Sequence, residues 1–212
     1  MERLDVPLFR NSAKDIHCVQ ATLQMILKYF FPQRRYTLKY LDKITYHYPG
    51  GWTWDTAALL FLSNLGFEII IIDEFDFKAF GREGLGYLRS IWDKERFQIE
   101  SLNTDLRFES QLAQDFLTSP RNMTFHKRKG CREDITTLFH KKYLVVPNIN
   151  AYVLDNEEGH CGHHVIVTGI DRKGLCFNDA GLPAIKDRYV SWDLFEKSRT
   201  EKSNIFAVKI PT

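Results

Sequence analysis

Apolar positions in the first half of the chain recur mostly at helical spacing. After a short extended segment at 6–9, they return every three or four residues from 16 to 31, which predicts an amphipathic helix. Asp15 can cap this helix and Pro32 ends it. The same pattern predicts further helical segments at 38–46, 52–65, 76–94, 105–118 and 132–141.

Short runs rich in β-branched residues mark the β-structure of the chain. One run at 67–72 precedes the middle helices, and the other predicted strands follow them, at 143–148, 163–170, 174–178 and 204–210. A capped helical turn is predicted at 191–196, before the last strand. Helices first and strands last indicate an α+β fold in which an N-terminal helical part packs on a C-terminal antiparallel sheet.

The length, composition and charge of the chain exclude some classes of function. The chain has 212 residues, is 44% hydrophobic and carries a net charge of +2, values typical of a single globular domain that does not bind nucleic acid. The one basic cluster, 126–129, is short and is interpreted as a solvated loop. No apolar run approaches the ~20 residues of a membrane span.

The N-terminus lacks the apolar core of a signal peptide, and the four cysteines form no CxxC pair. Both observations favour reduced thiols and a cytoplasmic location. We therefore do not expect a disulfide framework.

Three residues from distant parts of the sequence suggest thiol chemistry. Cys18 lies in the first turn of a predicted helix, where the helix dipole favours a thiolate. His163 opens one strand and Asp179 closes the next, so the two side chains can form a base and the group that orients it. Strand alternation places His163, Val165 and Val167 on one face, which we expect to look toward the Cys18 helix.

A second cluster, at 160–164, contains His160, Cys161, His163 and His164 and raises the alternative of a metal site. Zinc ligands usually come as two separated pairs or as a helical i, i+4 pair, whereas here all four residues are nearly consecutive. His163 and His164 are also expected to point to opposite faces of a strand. We therefore predict no metal and interpret Cys161 as a loop thiol near the mouth of the site.

These motifs resemble those of the bacteriocin-processing (double-glycine leader) peptidases, a family within the papain-like cysteine peptidases. The resemblance covers about 6–31, where the helix reads Cys-x-x-Ala-x-x-x-Met-x-Leu-x-Tyr, and about 143–196, where Gly162 to Gly169 is followed by a hairpin. It implies a papain-like fold, a catalytic triad of Cys18, His163 (rather than His164) and Asp179, and a mainly helical insertion at about 47–130.

The chain departs from the family pattern at three positions. Val19 replaces a glycine after the cysteine, and Ala180 replaces a proline after the aspartate. The glutamine that the family uses to stabilise the oxyanion is absent, and Asn11 is the residue that can offer a similar amide hydrogen bond.

The resemblance favours a cysteine peptidase or amidase that acts on a peptide or protein substrate without a cofactor. The same triad also serves transglutaminases and deamidases, because the second nucleophile is set by the shape of the pocket. The absent glutamine and the aromatic-rich middle segment keep a third interpretation open, a catalytically impaired binding module. The sequence does not predict an oligomeric state.

Overall fold

A mixed β-sheet with helices on both faces forms the centre of the molecule. The computed structural model describes residues 2–12, 14–118, 122–199 and 204–211. Within these ranges the strands are β1 (Glu2–Arg3), β2 (Glu68–Ile72), β3 (Met123–His126), β4 (Leu144–Asn150), β5 (Gly162–Ile170), β6 (Gly174–Asp179), β7 (Ile185–Ser191) and β8 (Ile205–Lys209). Their order is β3-β2-β8-β4-β5-β6-β7, and β1 pairs with β5.

The helices surround this sheet and connect its strands. They are α1 (Cys18–Phe30), α2 (Leu38–Ile44), α3 (Thr56–Asn64), α4 (Phe77–Glu83), α5 (Leu85–Ile91), α6 (Lys94–Asn103), α7 (Leu106–Thr118), α8 (Arg132–His140), α9 (Ala151–Asp155) and α10 (Trp192–Lys197). The segment 47–130 contributes α3 to α7 to this set, and it also contributes β2 and β3 to the central sheet.

Two apolar cores lie on opposite faces of the sheet. On one face, α1 and α3 pack through Leu23 and Leu59 against Ile166 of β5. On the other face, Val165 and Val167 pack with residues of α8 and α10. The expectation that Val165 and Val167 face α1 is therefore wrong. The β5 side chains on the same face as Ile166 are the ones that pack against that helix.

A third, smaller apolar cluster lies within the middle segment. Phe80, Leu88, Leu106 and Ala113 form its centre, and Trp54, Phe75 and other aromatic rings surround them. Most of the aromatic residues in this segment therefore pack as core. Trp52 is an exception, because 43% of it is exposed.

The α+β prediction is confirmed, with two corrections to the sheet. The sheet is mixed, because β2 pairs in parallel with β3, while the other strand pairs are antiparallel. The strands β3 and β7 also escaped prediction, since most of their residues are partly or fully exposed and lack an apolar run. No helix in the described ranges is long and apolar enough to cross a membrane.

Candidate active site

Cys18 is the first residue of α1 and is partly exposed. His17 occupies the N-cap position of this helix, and its side chain makes no capping hydrogen bond. Asp15 does not cap the helix as expected. Its backbone has a positive φ of 55°, and its carboxylate accepts a hydrogen bond from the Asn11 amide instead.

Asn11 organises the turn that leads to Cys18. Its side-chain oxygen accepts hydrogen bonds from the backbone N–H groups of Ser12 (2.8 Å) and His17 (2.7 Å). Its Nδ2 donates to Asp15 Oδ1 at 2.6 Å, and its backbone N–H donates to the carbonyl of Ala180 at 2.7 Å. Because Nδ2 carries two hydrogens, a second N–H of the amide is left for another acceptor.

His163 and Asp179 form a buried pair on the adjacent strands β5 and β6. His163 Nε2 donates to Asp179 Oδ1 at 2.9 Å, and the two residues are only 5% and 4% exposed. Asp179 Oδ1 also accepts from the Gly181 N–H, and Arg188 Nη1 donates to Oδ2, each at 2.9 Å. The carboxylate is thus fixed from three sides, which fixes the orientation of the imidazole in turn.

The charges in this cluster stabilise one another. Burial opposes ionisation of the Cys18 thiol, but hydrogen bonds and charge from His163 and His164 outweigh it and lower the pKa of Cys18 to about 6. Burial likewise opposes the charged form of His163, yet Asp179 and Cys18 raise its pKa to about 10. The favoured state at neutral pH is therefore a thiolate beside an imidazolium.

The other three cysteines have thiol pKa values that are raised rather than lowered. Burial raises the pKa of the Cys161 thiol to about 11, with the negative charge of Asp15 and of Cys18 adding to the effect. Burial also raises the pKa values of Cys131 and Cys176. All four cysteines lie in the described part of the chain, and the pKa of Cys18 is the one that is lowered.

His164 also interacts with Cys18, which the sequence did not predict. Its Nε2 lies 3.5 Å from Asp55 Oδ2, and the Asn148 amide lies at the same distance from Nε2. Burial opposes protonation of His164, but hydrogen bonds with Asp55 and Cys18 raise its pKa to about 9. The thiol lies near the beginning of β5, where imidazoles on both faces of the strand reach it.

A network of polar side chains holds the segment before α3 against α1. Buried Gln20 donates from Nε2 to the hydroxyls of Thr45 (2.8 Å) and Thr53 (3.0 Å). The His47 ring bonds to the same Thr53 hydroxyl at 2.7 Å, and it lies 4.3 Å from the His17 ring. These contacts bring the residues just before α3, including the carboxylate that faces His164, next to the site.

The 160–164 cluster does not gather around one point. Within the described ranges, no group of three or more histidine, cysteine, aspartate or glutamate side chains has the geometry to hold a metal ion. The backbone N–H of Cys161 donates to Asn150 Oδ1 at 2.9 Å, which ties this loop to the end of β4. A cavity of about 10 Å³ beside Asp55 and His164 is too small for a ligand.

No family model and no curated protein matches the chain, but several solved structures share its fold. The first is the peptidase domain of Streptococcus ComA, a bi-functional ABC transporter involved in a quorum-sensing pathway; its TM-score is 0.52 at 12% identity, covering 97% of this chain and 99% of that one. The second is a double glycine motif protease from an AMS/PCAT transporter, in complex with its leader peptide; its TM-score is 0.50 at 14% identity, covering 99% and 95%. The resemblance to double-glycine peptidases is thus confirmed at the level of the fold.

Proposed function

We propose that this protein is a cysteine peptidase or amidase in which Cys18, His163 and Asp179 form the catalytic triad. The observation that carries the proposal is the buried His163–Asp179 hydrogen bond beside a thiol whose pKa is lowered. The fold shared with two peptidase domains supports it, as does the leader peptide bound to one of them.

The proposed reaction proceeds through an acyl-enzyme. The Cys18 thiolate attacks the carbonyl carbon of the scissile bond, and the carbonyl oxygen becomes an oxyanion. His163 donates its proton to the leaving amine, which departs and leaves a thioester. His163 then takes a proton from water, whose oxygen attacks the thioester, and the acid product and the thiolate are released.

Two N–H groups are proposed to stabilise the oxyanion. The backbone N–H of Cys18 belongs to the first turn of α1, where N–H groups have no partner within the helix. The second N–H of the Asn11 amide is the other donor. Asn11 thereby takes the part of the glutamine that the sequence lacks, while its oxygen holds the turn.

The residues around the proposed triad indicate the class of substrate and the kind of compartment in which the protein would act. We propose that the segment 47–130 forms one wall of the substrate cleft, because it supplies the loop packed against α1 and His164. A peptide or protein substrate fits this arrangement. The mechanism also requires Cys18 to remain a free thiol, as a reducing compartment such as the cytoplasm would keep it.

The proposal is tested by peptide cleavage with matched cysteine variants. Purified protein is incubated with a peptide library that includes double-glycine sequences, and the products are identified by mass spectrometry. Cys18→Ala is expected to abolish cleavage, whereas Cys131→Ser, at an exposed thiol, retains it. Cleavage that survives in Cys18→Ala would contradict the proposal.

The same assay separates hydrolysis from the alternative acyl transfers. Glutamine-containing peptides are added with and without a primary amine. Deamidation or amine incorporation that depends on Cys18, without cleavage of the backbone, would assign the triad to a deamidase or transglutaminase. The absence of any Cys18-dependent product would favour a binding module.

A further inference from the structure

We propose that His164 and Asp55 form a second histidine–aspartate pair that stabilises the Cys18 thiolate beside the His163–Asp179 pair. The inference rests on the proposed function for its meaning in catalysis, but its evidence is independent geometry. His164 is 8% exposed and has its Nε2 3.5 Å from Asp55 Oδ2, and both residues line the same small cavity as Val19, which follows Cys18. The Cys18 side chain is also a hydrogen-bond partner of His164.

The position of Asp55 indicates a partner for His164 rather than a helix cap. Asp55 occupies the N-cap position of α3, where an aspartate usually accepts a hydrogen bond from its own helix. Here its side chain makes no cap hydrogen bond, and the carboxylate faces His164 across the interface between α3 and β5. The side chains of Asp55 and His164 are 17% and 10% exposed, so solvent screens the pair only weakly.

The two pairs have different tasks in this proposal. His163 exchanges a proton with the leaving amine and with water, so its charge changes during the reaction. In this proposal His164 transfers no proton and keeps its positive charge throughout the reaction. It therefore stabilises the sulphur anion when Cys18 attacks and again when the thiolate leaves the acyl-enzyme.

Other charges around the sulphur must be considered in a pH experiment. Near the two imidazoles, Asp55 pairs with His164, and Asp179 pairs with His163 and binds Arg188. Cys161 interacts electrostatically with Cys18, Asp15 and Asp179, and Glu109 lies beside Asp55. His17 precedes Cys18 in the chain. The carboxylates of Asp15 and Asp179 disfavour a further negative charge nearby, whereas Cys161 and Glu109 hold their protons at neutral pH, because their pKa values are raised to about 11 and about 8. The thiolate therefore depends on the two imidazoles.

The experiment measures how fast iodoacetamide alkylates Cys18 as a function of pH, with the adduct mapped by mass spectrometry. Because the thiolate is the reacting form, the midpoint of the rate profile reports its ionisation. In His164→Gln we expect the midpoint to rise by ~1 pH unit, which makes alkylation about tenfold slower below the wild-type midpoint. Asp55→Asn, which keeps the size of the side chain, is expected to move the midpoint in the same direction.

His126→Gln is the matched control, because His126 is exposed on β3, and it should leave the midpoint unchanged. Thermal unfolding identifies variants that do not fold; if His164→Gln is one of them, Asp55→Asn alone decides. A folded Asp55→Asn or His164→Gln variant with the wild-type midpoint would overturn the inference.

Alkylation of Cys18 does not require peptidase activity. The proposed function and the proposed second pair can therefore be rejected independently of each other. A shifted midpoint in a protein that cleaves no substrate would retain the second pair and reject the proposed function. Peptide cleavage with an unshifted midpoint in both variants would support the proposed function and reject the second pair.

Discussion

Cys18 is partly exposed as a residue, yet the ionisation of its thiol is controlled by buried groups. Removal from water disfavours the thiolate, and two imidazoles outweigh that effect by hydrogen bonding and charge. The imidazoles remain protonated because each is paired with a carboxylate, Asp179 or Asp55. The reactivity of one atom therefore depends on four other side chains.

This balance predicts a bell-shaped dependence of kcat/KM on pH. The acid limb should have its midpoint near pH 6, where Cys18 ionises, and activity should fall again as the pH approaches about 10, where His163 loses the proton needed by the leaving amine. The measurement is peptide hydrolysis across the pH range, with Cys18→Ala as the blank. An acid limb near ~8.5, the value of an ordinary thiol, would contradict the ionised resting state.

At the same scale, the sequence predicted some of the candidate residues that the structure brings together and missed others. Cys18, His163 and Asp179 were predicted because a helix start and two adjacent strands constrain where they lie. The choice of His163 over His164 rests on the family's spacing of six residues before Gly169, and strand alternation places the two rings on opposite faces of the strand. Neither observation predicts that both rings can reach a thiol near the end of the strand. Asp55 gave no signal, because its contact with His164 depends on how α3 packs against β5.

At the scale of elements, most helices and strands follow from local pattern, and the exceptions have physical causes. The predicted helix at 76–94 is divided into α4 and α5 at Gly84, whose φ of 58° cannot continue a helix. The helix α6 lies within the stretch from about 76 to 117 that is predicted to be helical, but it carries few apolar residues and its own bounds were not predicted. The edge strand β7 has one buried residue, so a strand-like apolar run is lacking.

The packing of α7 against α3 buries a carboxyl group close to the site. Glu109 is 7% exposed, and burial, followed by the negative charge of Asp55 and Asp105, raises its pKa from 4.5 to about 8 despite a hydrogen bond with Thr56. A raised pKa means that the folded chain holds a proton that the unfolded chain has released. Folding stability from this group is therefore complete below pH 4.5 and is lost as the pH rises toward 8.

We therefore expect Glu109→Gln, which stays neutral, to gain stability relative to the wild type as the pH rises through this window, by up to about 1.4 kcal/mol per pH unit. The free energy of unfolding in urea, measured at about pH 5 and about pH 8, gives the comparison. Glu95→Gln on α6 is the control, because Glu95 is exposed. A stability difference that does not vary with pH would show that Glu109 is already ionised in the folded state.

At the scale of the whole molecule, the N-terminal segment connects the two parts of the site. Leu4 N–H donates to the Thr168 carbonyl at 2.7 Å, and the Asn178 amide donates to the Val6 carbonyl at 2.9 Å. Together with the backbone bond from Asn11 to the residue after β6, these contacts fix the segment along β5 and β6 up to the turn before Cys18. The sheet thus positions the nucleophile as well as the base.

Asn178→Ala tests this connection. Asn178 is fully buried, and its side chain also accepts from the Asp187 N–H at 3.1 Å, so the variant leaves two backbone groups unpaired. We expect a loss of ~1–3 kcal/mol in the free energy of unfolding, together with slower alkylation of Cys18. Asn64→Ala at an exposed position is the control. Unchanged stability and unchanged alkylation in Asn178→Ala would show that the segment is held by other contacts.

The proposed nucleophile and its proposed base come from distant parts of the polypeptide, and this has a consequence for biosynthesis. During translation, Cys18 is made long before the strands that carry His163 and Asp179, and until they fold it has the weak nucleophilicity of any free cysteine. In the proposed mechanism, a nascent or misfolded copy therefore lacks its base and is unable to cleave other proteins. Catalysis would begin only after β5 and β6 have been synthesised and have joined the sheet.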